Sequence, residues 1–161
     1  MRLVSSACVV ALCAAAVPAT AQLTDHKDLS LAAALAIATG ALETCKAQGH
    51  GVSVAVIGRE AQILVQMRGD GSPPHSMENS FRRAYTALTY RRPSGEIEDR
   101  VRKDPGDQLV RLDNVMAARG GLPIVVAGDA LGAVAVSGAP SGDKDEACAL
   151  AGLTKAADRL K

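Results

Sequence analysis

The sequence predicts an α+β domain with a mainly antiparallel sheet. Two hairpin patterns carry that expectation, at Val52–Met67 and at Ile124–Val136. Each joins two runs rich in β-branched residues through a glycine-bearing turn. Helical periodicity brackets both hairpins, giving the order α-β-β-α-(short segment)-β-β-α. The third observation is size: 161 residues suit one domain, and halving them would leave two marginal cores.

Residues 1–21 stand outside this pattern and are expected to be a cleaved secretory leader. Arg2 supplies the positive start, Leu3–Val17 is apolar and uncharged, Pro18 breaks the run, and Ala19-Thr20-Ala21 offers a small-x-small cleavage site before Gln22. The run is short for a membrane span of roughly 20 residues, so no stable membrane anchor is expected. No Cys follows the site, so no lipid anchor is suggested. The mature chain, residues 22–161, is expected in the periplasm or outside the cell.

Leu31, Leu35, Ala38, Leu42 and Cys45 recur at helical spacing, predicting a helix from about Asp28 to Gln48 with that stripe buried. Gly49-His50-Gly51 ends it. Val52–Ile57 and Ile63–Met67 form the first hairpin around Gly58-Arg59-Glu60-Ala61. Arg68–Pro74 is a loop by its Gly and Pro content, and Ser76 can cap a helix from Met77 to about Arg92, stopped by Pro93. Glu96–Lys103 is a short charged segment, and 108–118 fits no single pattern. Ile124–Val126 and Leu131–Val136 form the second hairpin across Gly128-Asp129. Ser141 or Asp143 begins a last helix running to Lys161.

Cys8 and Cys13 leave with the leader, so Cys45 and Cys148 have one possible pairing. An oxidising compartment favours that bridge. It would close a long loop, worth about 4–5 kcal/mol by chain entropy. The two positions meet if the first and last helices pack antiparallel; two free buried thiols are the alternative.

Composition excludes several functions. Lys+Arg 18 against Asp+Glu 17 gives no basic patch for nucleic acid or an anionic membrane. Aromatics are only 2%, which removes the platforms of a base-stacking single-strand binder. There is no C-x-x-C-H for covalent haem, no paired C-x-x-C zinc pattern, no G-x-S-x-G, and no phosphate-binding glycine loop.

The scarce residues cluster. Phe81, Tyr85 and Tyr90, all the aromatics, share one predicted helix with Arg82, Arg83, Arg91 and Arg92. His75 sits just before it behind two prolines, and Arg68 lies on the preceding loop. An imidazole, aromatic walls and guanidinium groups together suit a planar, anionic, largely apolar ligand such as haem. The plainer alternatives are a core-facing Phe81/Tyr85 pair at i, i+4, a solvated arginine face and an ordinary loop histidine.

An ordered string of short motifs adds a resemblance. Val52–Ile57 leads to Arg68-Gly69-Asp70-Gly71. There follow Arg83-Ala84-Tyr85-Thr86-Ala87 and Gly120-Gly121-Leu122-Pro123-Ile124. Gly132-Ala133-Val134-Ala135-Val136-Ser137-Gly138 precedes Asp145-Glu146 with Ala151-Gly152. In these residues the chain, from about Leu29 to Lys161, resembles the GlcG/HbpS family of haem-binding proteins and is similar to the C-terminal domain of PduO-type corrinoid adenosyltransferases. It departs from the family at Gly58 and Ala61, where the first turn usually has Asp and Gly, and at Arg83, usually Lys. The resemblance implies a profilin-like α/β/α sandwich around a five-stranded, mainly antiparallel sheet. It implies homo-oligomers built from dimers, up to an octamer, and non-covalent haem, bound or slowly degraded. The expected haem contacts are His75, Arg68, Phe81, Arg82, Arg83, Tyr85 and Thr86. His75 is the first choice for the iron; Met67, Met77 and Tyr85 are the alternatives. A corrinoid or small carboxylate is the non-haem alternative.

Overall fold

The computed structural model describes residues 24–161; the expected leader, 1–21, lies outside the described residues. The elements are α1 (Leu31–Ala47), β1 (Ser53–Gly58), β2 (Ile63–Arg68), α2 (Ser76–Tyr90), α3 (Ser94–Lys103), β3 (Gly121–Val126), β4 (Asp129–Ser137) and α4 (Gly142–Lys155). The order is the one expected. The last helix stops at Lys155 and is followed by a 3-10 turn, Ala157–Leu160. No helix among the described residues is long and apolar enough to cross a membrane.

The sheet runs β2-β1-β4-β3, every pair antiparallel. It has four strands among the described residues, not the five implied by the resemblance. The segment after α3 could have supplied another strand, but its polar residues bond locally instead. Asp107 accepts from the Leu109 N–H and starts a 3-10 turn at Gln108–Arg111, and Asn114 is left-handed at φ 64°. β3 therefore remains an edge strand, where Pro123 costs no ladder bond. The second turn lies one residue earlier than expected. Ala127 and Gly128 both take positive φ, as a two-residue hairpin turn of the primed kind requires.

Alternation sorts the strand residues by face. Val54, Val56, Val134 and Val136 pack on α1 and α4, while Ile57, Ala133 and Ala135 pack on α2. Covered on both faces, β1 is buried at all six positions.

The buried face of α1 takes in Ala38 and Cys45 of the expected stripe, with Leu42 half-buried against it, but not Leu31 or Leu35. Ala33, Ala34, Ile37, Ala38, Gly40, Ala41 and Cys45 face inward, and Leu31 and Leu35 stay exposed. α4 does the same, burying Cys148, Ala149 and Gly152 and exposing Leu150. The helices need small residues because their backbones nearly touch. A Cβ on Gly152 would stand 2.5 Å from the Ile37 carbonyl oxygen and 2.9 Å from the Ala41 Cβ. That close approach brings Cys45 and Cys148 to a Cα separation of 5.6 Å, joined by a disulfide spanning 103 residues of sequence.

Two predictions follow from this architecture. Replacing both cysteines by Ser should lower the unfolding free energy by about 4 kcal/mol, the chain-entropy value for so long a loop less some relaxation. Urea unfolding of the oxidised protein against the double variant measures it. Ala61 takes φ 59° in the first turn, where the related pattern carries Gly. Ala61→Gly should raise stability by about 0.5–1 kcal/mol by relieving the left-handed penalty on a Cβ. An unchanged or lowered denaturation midpoint would contradict that.

Candidate functional site

A brace of buried hydroxyls builds the lead into α2. Ser53, Ser72 and Ser76 are all buried, with Ser53 Oγ 2.7 Å from Ser76 Oγ. Ser72 Oγ donates to the Gly69 carbonyl and Ser76 Oγ to the Pro73 carbonyl, at 2.8 and 2.6 Å. Arg68 Nη2 donates to the Ser72 carbonyl at 2.8 Å. Ser76 is thus turned back into the loop and does not cap the helix. His75 takes the N-cap position without a capping bond, and its side chain is exposed.

α2 lays Ser76, Ser80, Ala84 and Ala87 on the sheet. On its β2 side runs a half-buried stripe of Met77, Phe81, Tyr85 and Leu88. The Phe81 and Tyr85 rings lie 6.1 Å apart at 48°. Gln66 Nε2 donates to the Met77 carbonyl, tying the stripe to β2, whose outer edge is unpaired among the described residues. At about 100° per residue, His75 falls about 120° round the helix from Phe81, on the flank of Glu78 and Arg82. Met77, not His75, shares the aromatic flank. Met67 lies on the opposite sheet face, packed with the α1/α4 core.

The expected cation cluster divides. Arg82 pairs with Glu78 at 3.6 Å and donates to the Val115 carbonyl at 3.2 Å, but stays partly open. Thr86 is fully buried, donating to the Arg82 carbonyl and accepting from the Met116 N–H, both at 2.8 Å. Tyr90 Oη donates to the Leu109 carbonyl at 3.2 Å. Arg83 turns inward. Its Nη1 alone bonds Asp145 at 2.7 Å and the Val136 carbonyl at 2.8 Å, while its Nε is buried without a partner. Asp145 also accepts from the Ala139 N–H at 2.9 Å.

This strut explains the two glycines of the third motif. Gly120 takes φ +128°, and a Cβ there would meet the Val136 carbonyl at 2.8 Å and Arg83 Nη1 at 2.9 Å. A Cβ on Gly121 would collide with the Arg83 carbonyl. Beside it Arg119 contacts Asp99, Asp143 and Glu146 at 3.1, 3.2 and 3.8 Å, joining α3 to α4. Burial pushes the Glu146 carboxyl above its ordinary value against the opposing pull of Arg119. Among the described residues no three His, Cys, Asp or Glu side chains stand together as a metal site.

Arg68 also borders a cleft of about 210 Å³ with Lys46 and His50 from the end of α1. No motif marks that grouping, because the three residues come together only through the fold.

The chain is a small α+β domain with an open aromatic stripe on one helix, Met77 on the same flank and Arg82 beside it. Residues 29–154 match the family described as haem degrading protein HbpS-like, and the chain belongs to that family. A double mutant of Streptomyces reticuli HbpS is 37% identical, with TM-score 0.79 over 87% of this chain and 97% of that one. A PduOC:heme complex shares the fold at 21% identity and TM-score 0.73, over 80% of this chain and 95% of that one. An uncharacterised 15.0 kDa protein from the dhaT-dhaS intergenic region of Citrobacter freundii is 33% identical over 90 residues, 54% of this chain and 63% of that protein. The chain thus spans under two thirds of that relative.

Because a single nitrogen of Arg83 makes both contacts, a Lys ammonium could replace it without the orphaned Nε. Arg83→Lys should leave stability within about 1 kcal/mol, whereas Asp145→Ala, which strands a buried cation, should cost about 3–5 kcal/mol. Urea denaturation at neutral pH separates the two; equal losses would refute the strut.

Proposed function

We propose that the chain is an extracytoplasmic, oligomeric haem-binding protein. The half-buried Met77/Phe81/Tyr85/Leu88 stripe carries this reading, because it is an apolar wall left open beside an unpaired strand. Haem is flat and apolar with anionic arms, and the residue types present fit it. Phe81, Tyr85 and Leu88 would pack on the ring, and Arg68 and Arg82 would pair with the carboxylates. Met77 and Tyr85 on the stripe, and His75 at its head, are the donors for iron. Arg83 and Thr86 shape the helix from within and do not touch the ligand. The group itself would supply an iron centre with axial ligation and redox activity.

The leader pattern and the Cys45–Cys148 bridge support an oxidising compartment. Exposed Leu31, Leu35 and Leu150 on the outer helical layer support burial against a second subunit. Haem breakdown is the second reading, favoured by the solvent-open stripe, which leaves room for an oxidant.

Haemin titration of the mature protein, followed at the Soret band, should saturate. Phe81→Ala and Tyr85→Ala should weaken binding about tenfold each, as loss of a packed aromatic wall requires. His75→Ala and Met77→Ala in parallel identify the ligand by which one alters the spectrum. No saturable Soret shift in the wild type would sink the reading. Loss of the band with release of iron on adding peroxide or reductant would move the function to breakdown.

A further inference from the structure

α2 carries a second row of side chains beside the aromatic stripe. Counted from Phe81 at about 100° per residue, Tyr85 and Glu78 lie about 40° and 60° round the helix, and Arg82, Thr86 and Tyr90 about 100°, 140° and 180°. The second row holds main-chain groups of the segment before β3. Arg82 Nη2 donates to the Val115 carbonyl at 3.2 Å, the Met116 N–H donates to Thr86 Oγ1 at 2.8 Å, and Tyr90 Oη donates to the Leu109 carbonyl at 3.2 Å. Ser94 Oγ pins the far end by donating to the Ala118 carbonyl at 2.7 Å. Between these anchors Arg111, Leu112, Asp113 and Asn114 are exposed. Residues 109–116 are thus a strap laid along the α2 flank that faces away from the stripe.

Arg82 stands between the two surfaces and is held by one loose contact to each. Its Nη1 lies 3.6 Å from Glu78 on the stripe side, and its Nη2 bonds Val115 on the strap side. Both contacts are longer than the 2.7 and 2.8 Å that fix Arg83, and the Arg82 side chain keeps 35% of its surface. The Val115 carbonyl accepts from no other group among the described residues, although Val115 is only 3% exposed. A carboxylate taken end-on by a guanidinium uses both terminal nitrogens. On the stripe such a ligand competes with Glu78 for one of them and with the Val115 carbonyl for the other. An ionised acceptor makes the stronger hydrogen bond, so the ligand wins the exchange with the neutral carbonyl. Val115 must then find water for its carbonyl, which requires the strap to lift.

We infer that Arg82 couples the stripe to the strap: an anionic ligand on the stripe draws Arg82 off the Val115 carbonyl and frees residues 111–115. This rests on the reading of the stripe as a site for a flat ligand with carboxylate arms, and adds to it a means of signalling occupancy on the far flank of the helix. The coupling runs both ways, because a strap that holds Arg82 back also weakens the ligand. Thr86 and Tyr90 make no contact with the ligand, so their anchors persist and confine the opening to the exposed stretch between them.

The test is trypsin cleavage after Arg111 in the mature, oxidised protein, with haemin occupancy read at the Soret band in the same samples. Saturation with haemin should quicken this cut about tenfold, the effect of losing one charge-assisted anchor. Arg82→Met should be cut at the fast rate without haemin, and haemin should add nothing; this variant also controls for any action of haemin on the protease. Tyr90→Phe removes a strap anchor half a turn round the helix from Phe81. It should tighten haemin binding about threefold, by reciprocity. A gain in affinity is not a consequence of misfolding. Absence of a saturable Soret change would overturn the stripe reading and this coupling with it. Saturation that leaves the cut unchanged or slower, or Tyr90→Phe binding no tighter than wild type, would overturn the coupling alone.

Discussion

One buried nitrogen, Arg83 Nη1, links the two sides of the sheet. It starts on α2, passes the end of the strands, and meets both a β4 carbonyl and an α4 carboxylate. Asp145 is 2% exposed and Arg83 12%, so neither charge has water to fall back on. Desolvation makes such a pair costly to form and far costlier to break singly. Its main consequence is positional. With α2 held at that level, β3 must enter beneath it with no side chain on its first residue, and the residue before must turn through positive φ. The Gly120-Gly121 pair follows from the pair of charges.

The rest of the α2 interface obeys the same spacing. Ala84 and Ala87 meet Ala133 and Ala135 across a layer with no room for larger groups. The aromatics that α2 carries are displaced to its flank for that reason. The 2% aromatic content and the exposed stripe thus have one cause: a sandwich packed on alanine, glycine and valine excludes rings from its interior.

Element order was legible because strand and helix periods differ, and the hairpins carried clear turns. Which helix face is buried was not. Leu31, Leu35 and Leu150 look like core by hydropathy, and the inward face is alanine and glycine because α1 and α4 cross almost backbone to backbone. Periodicity reports that a helix is amphipathic, and the partner's distance decides which apolar face fits. Cys148 lies on that close contact face of α4, beside Ala149 and Gly152. In the candidate site, sequence proximity placed His75 beside Phe81, but the helical turn puts them on different flanks. Arg83 looked like a ligand contact because charge on a helix reads as surface. Only the position of Asp145, 62 residues on, shows it to be internal.

The two helical layers divide the work of the domain. The α1/α4 layer is cross-linked by the disulfide and packed at near-backbone contact, so it has little freedom to open for a ligand. The opposite face is covered mainly by one helix, α2, whose β2-side flank meets no further layer. Ile63 on β2 is 49% exposed beside it. A domain this size cannot leave both faces open and keep a core. Rigidity on one face is what allows apolar side chains to remain uncovered on the other, and the serine-braced loop sets the start of α2, and with it Met77, against that uncovered side.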